Sequence, residues 1–428
     1  MLGAGVMGLA CAYYLQSKKN YQVDVYESAD VLGGMACHFD FSGVDIERFY
    51  HFICKSDEPM FKLLTDLNIE DKLKWNVTHM GYYYQGRLYD WGNPVALLKF
   101  PKLNLLSKIR YGLHMFYCTK ITSWSKLDAL EAQSWIKRWI GKEAYSVLWE
   151  KLFHLKFYKY QNNLSAAWIW TRIKRVGTSR KNIFHEELGY LQGGSKTILT
   201  ALSEAIVKKG GVINLSHVVD EVARNKNNLF SLKTGKLDKE YDAVVSTIPL
   251  PYVPDVFPFL PDEYIEKYRA IDNMAVVCVI VKSKKPVTRN FWLNINDNEI
   301  EIPGLIEYTN LNRMKDSIIY APFYLPVDHP KMSNSDDTFA EEAISAILKI
   351  NTELNRTDIL DISVSRYGRA QPVCSPGFKN FLPDMNTPIK NLIIGDTTYY
   401  YPEDRSISES VRVGKEMAEI LLNVQAGI

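Results

Sequence analysis

The first residues of the chain have the types and spacing of a loop that binds the pyrophosphate of a dinucleotide. They fit the pattern G-x-G-x-x-G, and the six positions are Gly3, Ala4, Gly5, Val6, Met7 and Gly8. In such a loop the first glycine allows a tight turn, the second lets the backbone approach a pyrophosphate, and the third allows close helix–strand packing. Residues 9–15 predict a helix whose N-terminus would face the phosphate charge.

An acidic residue stands where a dinucleotide site needs one. The apolar run at residues 23–26 predicts a strand that ends in Glu27, about 20 residues beyond the glycine loop. A carboxylate at this position accepts hydrogen bonds from ribose hydroxyls. Because loop, helix, strand and acid occur in the expected order, a chance match is disfavoured.

A second pair of glycines indicates which dinucleotide is bound. Ser28 follows the acid, and Gly33, Gly34 and Met35 come a few residues later. This extended pattern resembles the fingerprint of the large FAD-binding flavoprotein superfamily, which includes amine oxidases, protoporphyrinogen oxidases, phytoene desaturases and UDP-galactopyranose mutases. In that superfamily the glycine pair runs beside the pyrophosphate. The resemblance therefore implies that FAD is the cofactor and that these residues help to bind it.

Later landmarks continue the resemblance. Residues 188–195 and the helix after them resemble the second crossing into the FAD domain, in which the residue matching Val219 contacts the adenine through its backbone. Residues 241–249 resemble the strand and turn that leave this domain. The resemblance thus covers essentially the whole chain.

The last segment carries the flavin end of the predicted site. A buried strand is expected to end in Gly395 and Asp396, and the resemblance implies that this acid holds the ribityl chain. The helix that follows would place the amides of Ser406 and Ile407 at the flavin. A helix N-terminus there stabilises the negative charge that develops when flavin is reduced.

The glycine loop lacks most of the strand that should precede it. Only Met1 and Leu2 stand before the first glycine, whereas a central parallel strand usually carries several apolar residues. We expect about five further apolar residues upstream in the natural chain. The alternative is a strand stub of two residues.

These landmarks predict an α/β fold in which a Rossmann-like FAD-binding domain of the glutathione-reductase type is interleaved with an α+β substrate domain. The FAD-binding domain is expected at residues 1–75, 186–250 and 371–428. The substrate domain would have a helical and hairpin part at 76–185 and a sheet part at 251–370.

Four residues are candidates for the chemistry. A local resemblance to UDP-galactopyranose mutases places His51 against the flavin, although a packed or solvated histidine is the alternative. Tyr400, in a tyrosine-rich turn, is expected to face flavin or substrate. Arg366 and Arg405 are expected to bind substrate anions or the FAD pyrophosphate, because guanidinium groups match phosphate geometry.

Two positions narrow the reaction. Amine oxidases of this fold carry a lysine on a substrate-domain strand, and the aligned residue here is Val277, which disfavours amine oxidation. Cys374 lacks the small-residue context of covalent flavin attachment, so the FAD is expected to be non-covalent.

The resemblance implies an FAD-dependent oxidoreductase that moves a hydride from a substrate C–H bond to flavin N5. The turn at residues 399–405 resembles that of UDP-galactopyranose mutases and of relatives in surface-polysaccharide pathways, which indicates a sugar-pathway substrate. A non-redox nucleotide-sugar mutase is one alternative. Dehydrogenation like that of protoporphyrinogen oxidases or phytoene desaturases is another, since residues 366–372 resemble a stretch those families share. A third is a flavoprotein scaffold without catalysis.

Composition limits the partners. The net charge of +2 does not favour nucleic acid, and the six cysteines form no C-x-x-C pair, so no metal site is expected and a reducing cytoplasm fits. A small-molecule substrate is the expected partner. The basic and apolar residues 95–121 predict either peripheral contact with the inner face of a membrane or a helical cap on the substrate domain. The oligomeric state is left open.

Overall fold

Short parallel strands around the glycine loop and one large, mostly antiparallel sheet are the two main parts of the fold. The computed structural model describes residues 1–18, 21–235 and 237–426. The helices are α1 (Val6–Gln16), α2 (Glu58–Asp66), α3 (Pro94–Lys99), α4 (Leu105–Lys120), α5 (Ser125–Asp128), α6 (Ala132–Tyr145), α7 (Lys151–Phe157), α8 (Ala166–Thr178), α9 (Ser195–Lys208), α10 (Val253–Val256), α11 (Asp262–Arg269), α12 (Asp336–Ile350), α13 (Phe378–Phe381) and α14 (Ile407–Ala426).

The strands are short near the glycine loop and long in the large sheet. They are β1 (Asp24–Tyr26), β2 (His38–Phe41), β3 (Val44–Glu47), β4 (Leu73–Thr78), β5 (Met80–Tyr84), β6 (Arg87–Trp91), β7 (Arg180–Asn182), β8 (His185–Leu191), β9 (Val212–Asn214), β10 (Glu221–Arg224), β11 (Phe230–Thr234), β12 (Leu237–Tyr241), β13 (Val244–Ser246), β14 (Asn273–Ser283), β15 (Trp292–Asn296), β16 (Gly304–Glu307), β17 (Ser317–Pro326), β18 (Ile359–Pro372) and β19 (Leu392–Ile394).

The parallel strands meet at the start of the chain. The amide of Leu2 donates to the carbonyl of Val245 at 2.9 Å, and the amide of Gly3 donates to the carbonyl of Tyr26 at 2.8 Å. Because β9 pairs with β1 and β19 with β13, the order is β9, β1, Leu2, β13, β19. The first residues therefore occupy the central strand position that the glycine loop requires. The upstream residues remain a prediction.

Helices α1, α9 and α14 pack together beside this sheet and form a core with it. The core draws its residues from three separated stretches, 4–64, 191–245 and 385–421. These stretches fall within the three segments expected for the FAD-binding domain. The Rossmann-like architecture predicted from the glycine loop is therefore present.

The large sheet separates two further cores. Its strand order is β18, β14, β17, β16, β15, β5, β6, and every residue of β14 is buried. Helix α12 covers one face, where the rings of Phe323 and Phe339 are 5.0 Å apart. Residues of α4, α6, α7 and α8 join the core on the other face. Since side chains alternate along a strand, neighbouring residues of β14 and β18 face opposite cores.

The hairpin that the sequence predicted is confirmed as β5 and β6, joined by Gln85 and Gly86, both with positive φ. No helix among the described residues is both long enough and apolar enough to cross a bilayer.

Two helical glycines offer a matched test of how closely α14 must approach α1. A Cβ at Gly414 would lie 2.4 Å from the carbonyl oxygen of Met7, whereas a Cβ at Gly112 in α4 would meet Leu97 at an ordinary 3.7 Å. We expect Gly414→Ala to lower the free energy of unfolding by about 1–3 kcal/mol through overpacking.

The control, Gly112→Ala, should be neutral or stabilise by up to about 1 kcal/mol, because alanine favours helix. Urea denaturation of both variants measures the difference. Equal stability of the two variants would contradict the close contact.

Candidate active site

The glycine loop turns sharply and leaves one side open. A Cβ at Gly8 would lie 2.0 Å from the carbonyl oxygen of Gly3, so this position excludes any side chain. A Cβ at Gly5 would meet no described atom nearer than the carbonyl oxygen of Gly33, at 4.0 Å. Gly5 also lines a large cavity, together with Gly3, Val6 and Met7. The loop thus provides the space that a pyrophosphate would occupy.

The second glycine pair is seated beside this loop. The amide of Gly33 donates to the carbonyl of Ala4 at 2.9 Å, and Gly33, Gly34 and Met35 all line the cavity. Ala4 itself lies behind the loop in the core.

Glu27 directly follows β1, and it lines the cavity. One oxygen accepts from the amide of Ala4 at 2.8 Å, and the other accepts from the amide of Ala29 at 3.0 Å and from the hydroxyl of Ser28 at 3.2 Å. These bonds fix the carboxylate between the loop and the turn after β1. Glu27, Ser28 and Val219 all line the cavity, as a ribose and adenine site requires.

Asp396 is buried at the end of β19. Its carboxylate accepts from the amide of Thr398 at 2.8 Å and from that of Leu250 at 2.9 Å, while burial raises its pKa. The carboxylate lines the cavity, whereas Gly395 packs behind it against Met385.

The N-terminus of α14 also reaches the cavity. The hydroxyl of Ser406 accepts from the amide of Glu409 at 3.0 Å, which caps the helix. Ser406 and Ile407 line the cavity, so the positive end of the helix dipole faces it.

One continuous cavity of about 1580 Å³ connects these groups with the helical layer. Pockets for single small ligands usually measure about 300–1,000 Å³, so this volume can hold a dinucleotide and a substrate together. Exposed residues that line it mark where it opens, and four of them have large apolar side chains. Val218 and Tyr252 lie at the nucleotide end, and Phe116 and Ile183, each 63% exposed, lie at the other.

His51 lines the cavity beside a group of aromatic side chains. Burial, together with the Arg405 guanidinium, lowers the pKa of His51 to about 4, so its imidazole is neutral near pH 7. Its buried Nδ1 has no hydrogen-bond partner among the described residues. The hydroxyls of Tyr50 and Tyr324 lie 3.2 Å apart in the same region.

Tyr400 and Arg405 both line the cavity but differ in what they offer to a ligand. The hydroxyl of Tyr400 is 2.7 Å from that of Ser410, so it is engaged within the protein. Arg405 donates through Nη1 to the carbonyl of Ala370 at 2.7 Å, and its buried Nε has no partner among the described residues.

Arg366 lines the cavity, but its guanidinium is engaged within the protein. Arg366 pairs with Val277 across β18 and β14, and its guanidinium bonds to Asp336 of α12 at 2.6 Å. It also lies over the Phe339 ring, on the face of the sheet away from the helical layer. Its strand neighbour Tyr367 also lines the cavity. Because the guanidinium already pairs with Asp336, the binding of a ligand anion by Arg366 stays a prediction.

Sequence reasoning missed two cations that face the cavity. Lys156 on α7 and Arg172 on α8 both line it. Burial, with Arg172 close by, lowers the pKa of Lys156 to about 7. Arg172 Nη2 is 2.9 Å from Asp404 Oδ1. Burial works against ionisation of Asp404, but the surrounding cations outweigh it and hold its pKa well below its usual range.

Arg48 was also missed. It lines the cavity near the second glycine pair, and its guanidinium makes no ion pair with any residue that the structure describes. An unpaired guanidinium at this end is suited to a pyrophosphate.

Cys374 and Val277, the residues that bear on covalent flavin attachment and on amine oxidation, do not line the cavity. Cys374 is buried in the core and does not line it, which favours non-covalent FAD. Val277 faces the α12 side, and its neighbours Val276 and Cys278 line the cavity.

Comparison with known proteins decides the family. The model of the family described as flavin-containing amine oxidoreductase matches residues 7–344. The chain belongs to this family. It is accordingly a flavin-dependent oxidoreductase, and FAD is its cofactor.

Relatives of this amine oxidoreductase family member have diverse names. A 15-cis-phytoene desaturase from Synechococcus elongatus is 23% identical over 443 residues, which cover 92% of this chain and 90% of that protein. An Exiguobacterium sp. 255-15 structure named as a protoporphyrinogen oxidase has a TM-score of 0.77 at 15% identity, covering 99% and 98%. A CLA-producing fatty acid isomerase from P. acnes has a TM-score of 0.71 at 13% identity, covering 98% and 97%. At these identities the structural likeness shows the fold alone.

The residues present fit FAD. The open side of Gly5 suits the pyrophosphate, Glu27 offers a carboxylate to a ribose, and Asp396 lies where a ribityl chain would reach the N-terminus of α14. We infer from this geometry that these residues would hold the cofactor.

The ribose assignment can be tested by removing the carboxylate of Glu27. We expect Glu27→Ala to weaken FAD binding by about 1.5–3 kcal/mol, the worth of hydrogen bonds to a charged group. The dissociation constant can be measured by titrating apoprotein with FAD and following flavin fluorescence.

Asp30→Ala is the matched control, because Asp30 is an exposed acid three residues further on that does not line the cavity. An unchanged dissociation constant in Glu27→Ala would contradict the assignment.

Proposed function

We propose that this flavoenzyme oxidises a C–H bond of an elongated, largely apolar substrate that reaches the flavin from the opening beside α4. The observation that carries this proposal is the single cavity that joins the glycine loop to that opening. Beyond the flavin end it is lined by apolar and aromatic side chains, which include Trp91, Tyr111, Met115, Phe116, Leu148 and Trp149.

The chain's own residues would bind, orient and dehydrate the substrate. Bound FAD supplies the group that accepts the hydride from the substrate. Apolar walls exclude water. Tyr50, Tyr324 and Trp292 form an aromatic group beside His51 at the reacting end, with the rings of Tyr50 and Trp292 5.8 Å apart. Because its imidazole is neutral, His51 offers a ring nitrogen without adding a further positive charge beside Arg405.

Anaerobic reduction of the bound flavin tests this function. FAD-loaded protein is mixed without oxygen with phytoene, protoporphyrinogen, a polyunsaturated fatty acid or UDP-galactopyranose, and flavin absorbance is followed. We expect one of the first three to bleach the flavin and to yield a product with an additional double bond. UDP-galactopyranose should leave the flavin oxidised.

Gly112→Phe provides a matched variant, because Gly112 lines the cavity beside the α4 opening and has space around it. This variant should slow reduction by the apolar donor and leave reduction by dithionite unchanged. Equal slowing of both, or no slowing at all, would contradict the route. Reduction by none of the donors would favour a scaffold without catalysis.

A second candidate is a non-redox isomerisation, of which a nucleotide-sugar mutase is one case. The observation that favours it is the group of cations at Lys156, Arg172 and Arg405, since a nucleotide sugar carries a diphosphate. Conversion of a substrate to an isomer with no loss of oxidised flavin over many turnovers would support it. The tyrosine-rich turn gives the sugar-pathway role less support than these cations do, because the hydroxyls of Tyr400 and Tyr401 are hydrogen-bonded within the protein.

We also propose that the outer face of α3 and α4 rests on an anionic membrane surface. Large apolar residues are exposed along one side of α4, namely Leu105, Leu106, Ile109, Leu113, Phe116 and Tyr117. No acid occurs from residue 91 to 127, whereas Lys99, Lys102, Lys108 and Lys120 do. An apolar face with basic neighbours suits anionic lipid, and it adjoins an opening of the cavity.

Vesicle binding tests this surface. We expect the protein to sediment with vesicles of phosphatidylcholine and phosphatidylglycerol, and less so at high salt. Leu106→Gln should lower partitioning about tenfold, since burying one leucine contributes about 1.5–3 kcal/mol. Leu360→Gln, at an exposed leucine on β18, is the control. No binding, or equal loss in both variants, would contradict the proposal.

A further inference from the structure

Three cationic side chains from separate elements face one region of the cavity. Lys156 comes from α7, Arg172 from α8 and Arg405 from the turn before α14. The Lys156 ammonium lies 5.1 Å and the Arg405 guanidinium 5.9 Å from the centre of the Tyr324 ring. Arg172 joins them through Asp404, the residue beside Arg405. The three cations therefore surround one small volume.

The protein supplies too little negative charge for this group. Asp404 is the carboxylate whose charge acts on Lys156 among the described residues. A fourth cation nearby, Arg175, is balanced by Asp57, with contacts of 3.1 and 2.8 Å. One carboxylate thus faces three cations, and like charges in a partly buried site repel one another unless an anion joins them.

Several donors in this group are unused. The Nε atoms of Arg172 and Arg405 are buried, and neither donates to any residue that the structure describes. The Lys156 ammonium likewise makes no hydrogen bond within the described part of the chain. Buried polar groups are normally hydrogen-bonded, so these donors indicate a missing acceptor.

The missing acceptor would lie at the substrate end of the cavity. The pyrophosphate of FAD would lie at the glycine loop, where there is space beside Gly5 and where Arg48 makes no ion pair with a described residue. Helices α7 and α8, in contrast, stand in the layer that covers the large sheet. FAD therefore has its own contacts elsewhere in the cavity.

We propose that Lys156, Arg172 and Arg405 form a binding site for an anionic group, a carboxylate or a phosphate, that the substrate carries. This inference rests on the proposed function and adds to it. The substrate would be amphipathic, with its charged end held here and its apolar body directed toward Phe116 and Ile183. By holding the charged end, the site would determine which carbon atom of the substrate lies at the flavin.

Calorimetric titration of FAD-loaded protein tests the site without turnover. Octanoate and inorganic phosphate are the anionic probes, and octanol is the neutral control of the same length as octanoate. We expect at least one anion to bind, with octanoate about tenfold or more tighter than octanol if the group is a carboxylate. If phosphate binds but octanoate binds no more tightly than octanol, the substrate carries a phosphate instead of a carboxylate.

Variants of one lysine assign the binding to this group. Lys156→Met should weaken the preferred anion about tenfold or more, and Lys156→Arg should largely restore it. Lys159→Met is the matched control, because Lys159 is an exposed lysine nearby that pairs with Asp328 and does not line the cavity. All three variants should keep the FAD content of the wild type.

The pH dependence gives an independent readout. The charged and titratable groups facing Lys156 are Arg172, Arg405, Asp404 and Tyr324. Because the pKa of Lys156 is lowered to about 7, the ammonium is present below pH 7 and is lost as the pH rises. Octanoate binding should therefore weaken between pH 6 and 8 in the wild type. In Lys156→Arg, whose side chain stays charged, that slope should disappear.

Three results would overturn the proposal. They are equal binding of anions and octanol, unchanged anion binding in Lys156→Met, and loss of FAD from Lys156→Met but not from Lys159→Met, which would assign the cations to the cofactor. Each is read without a catalytic assay. Failure to find a substrate that reduces the flavin would bear on the proposed function and leave this test intact.

Discussion

The cofactor site depends on one close contact between two helix backbones. Where α14 crosses α1, the absence of a side chain at Gly414 lets the helices approach until a Cβ would be only 2.4 Å from the Met7 carbonyl. Helix α1 carries the glycine loop, and α14 begins at the flavin end of the cavity. The contact therefore sets the distance between the two ends of the dinucleotide site, although its residues are at opposite ends of the chain.

Local patterns predicted most of the residues that line the nucleotide end of the cavity. The glycine loop, Glu27 and the second glycine pair lie within a short stretch, and backbone rules alone relate their spacing to their geometry. Asp396 was predicted from the resemblance of residues 391–396 to the strand that ends the cofactor site in the FAD-binding flavoprotein superfamily. Gly8 and Gly395 shape this half from behind without lining the cavity.

The substrate half was harder to predict because it depends on register and on packing between distant segments. On β18 the guanidinium of Arg366 turns toward Asp336 of α12, and no local signal in the sequence gives that orientation. Lys156 lies among the aromatic residues of α7. A cation between the buried Phe153 and Phe157 was the available signal, because a buried lysine needs a reason.

The two openings of the cavity have a kinetic consequence. Val218 and Tyr252 mark one at the nucleotide end, and Phe116 and Ile183 mark the other at α4. Traffic of substrate and product past α4 does not require the dinucleotide to leave. If the substrate enters by the opening at α4, as proposed, FAD can stay bound as a prosthetic group over many turnovers.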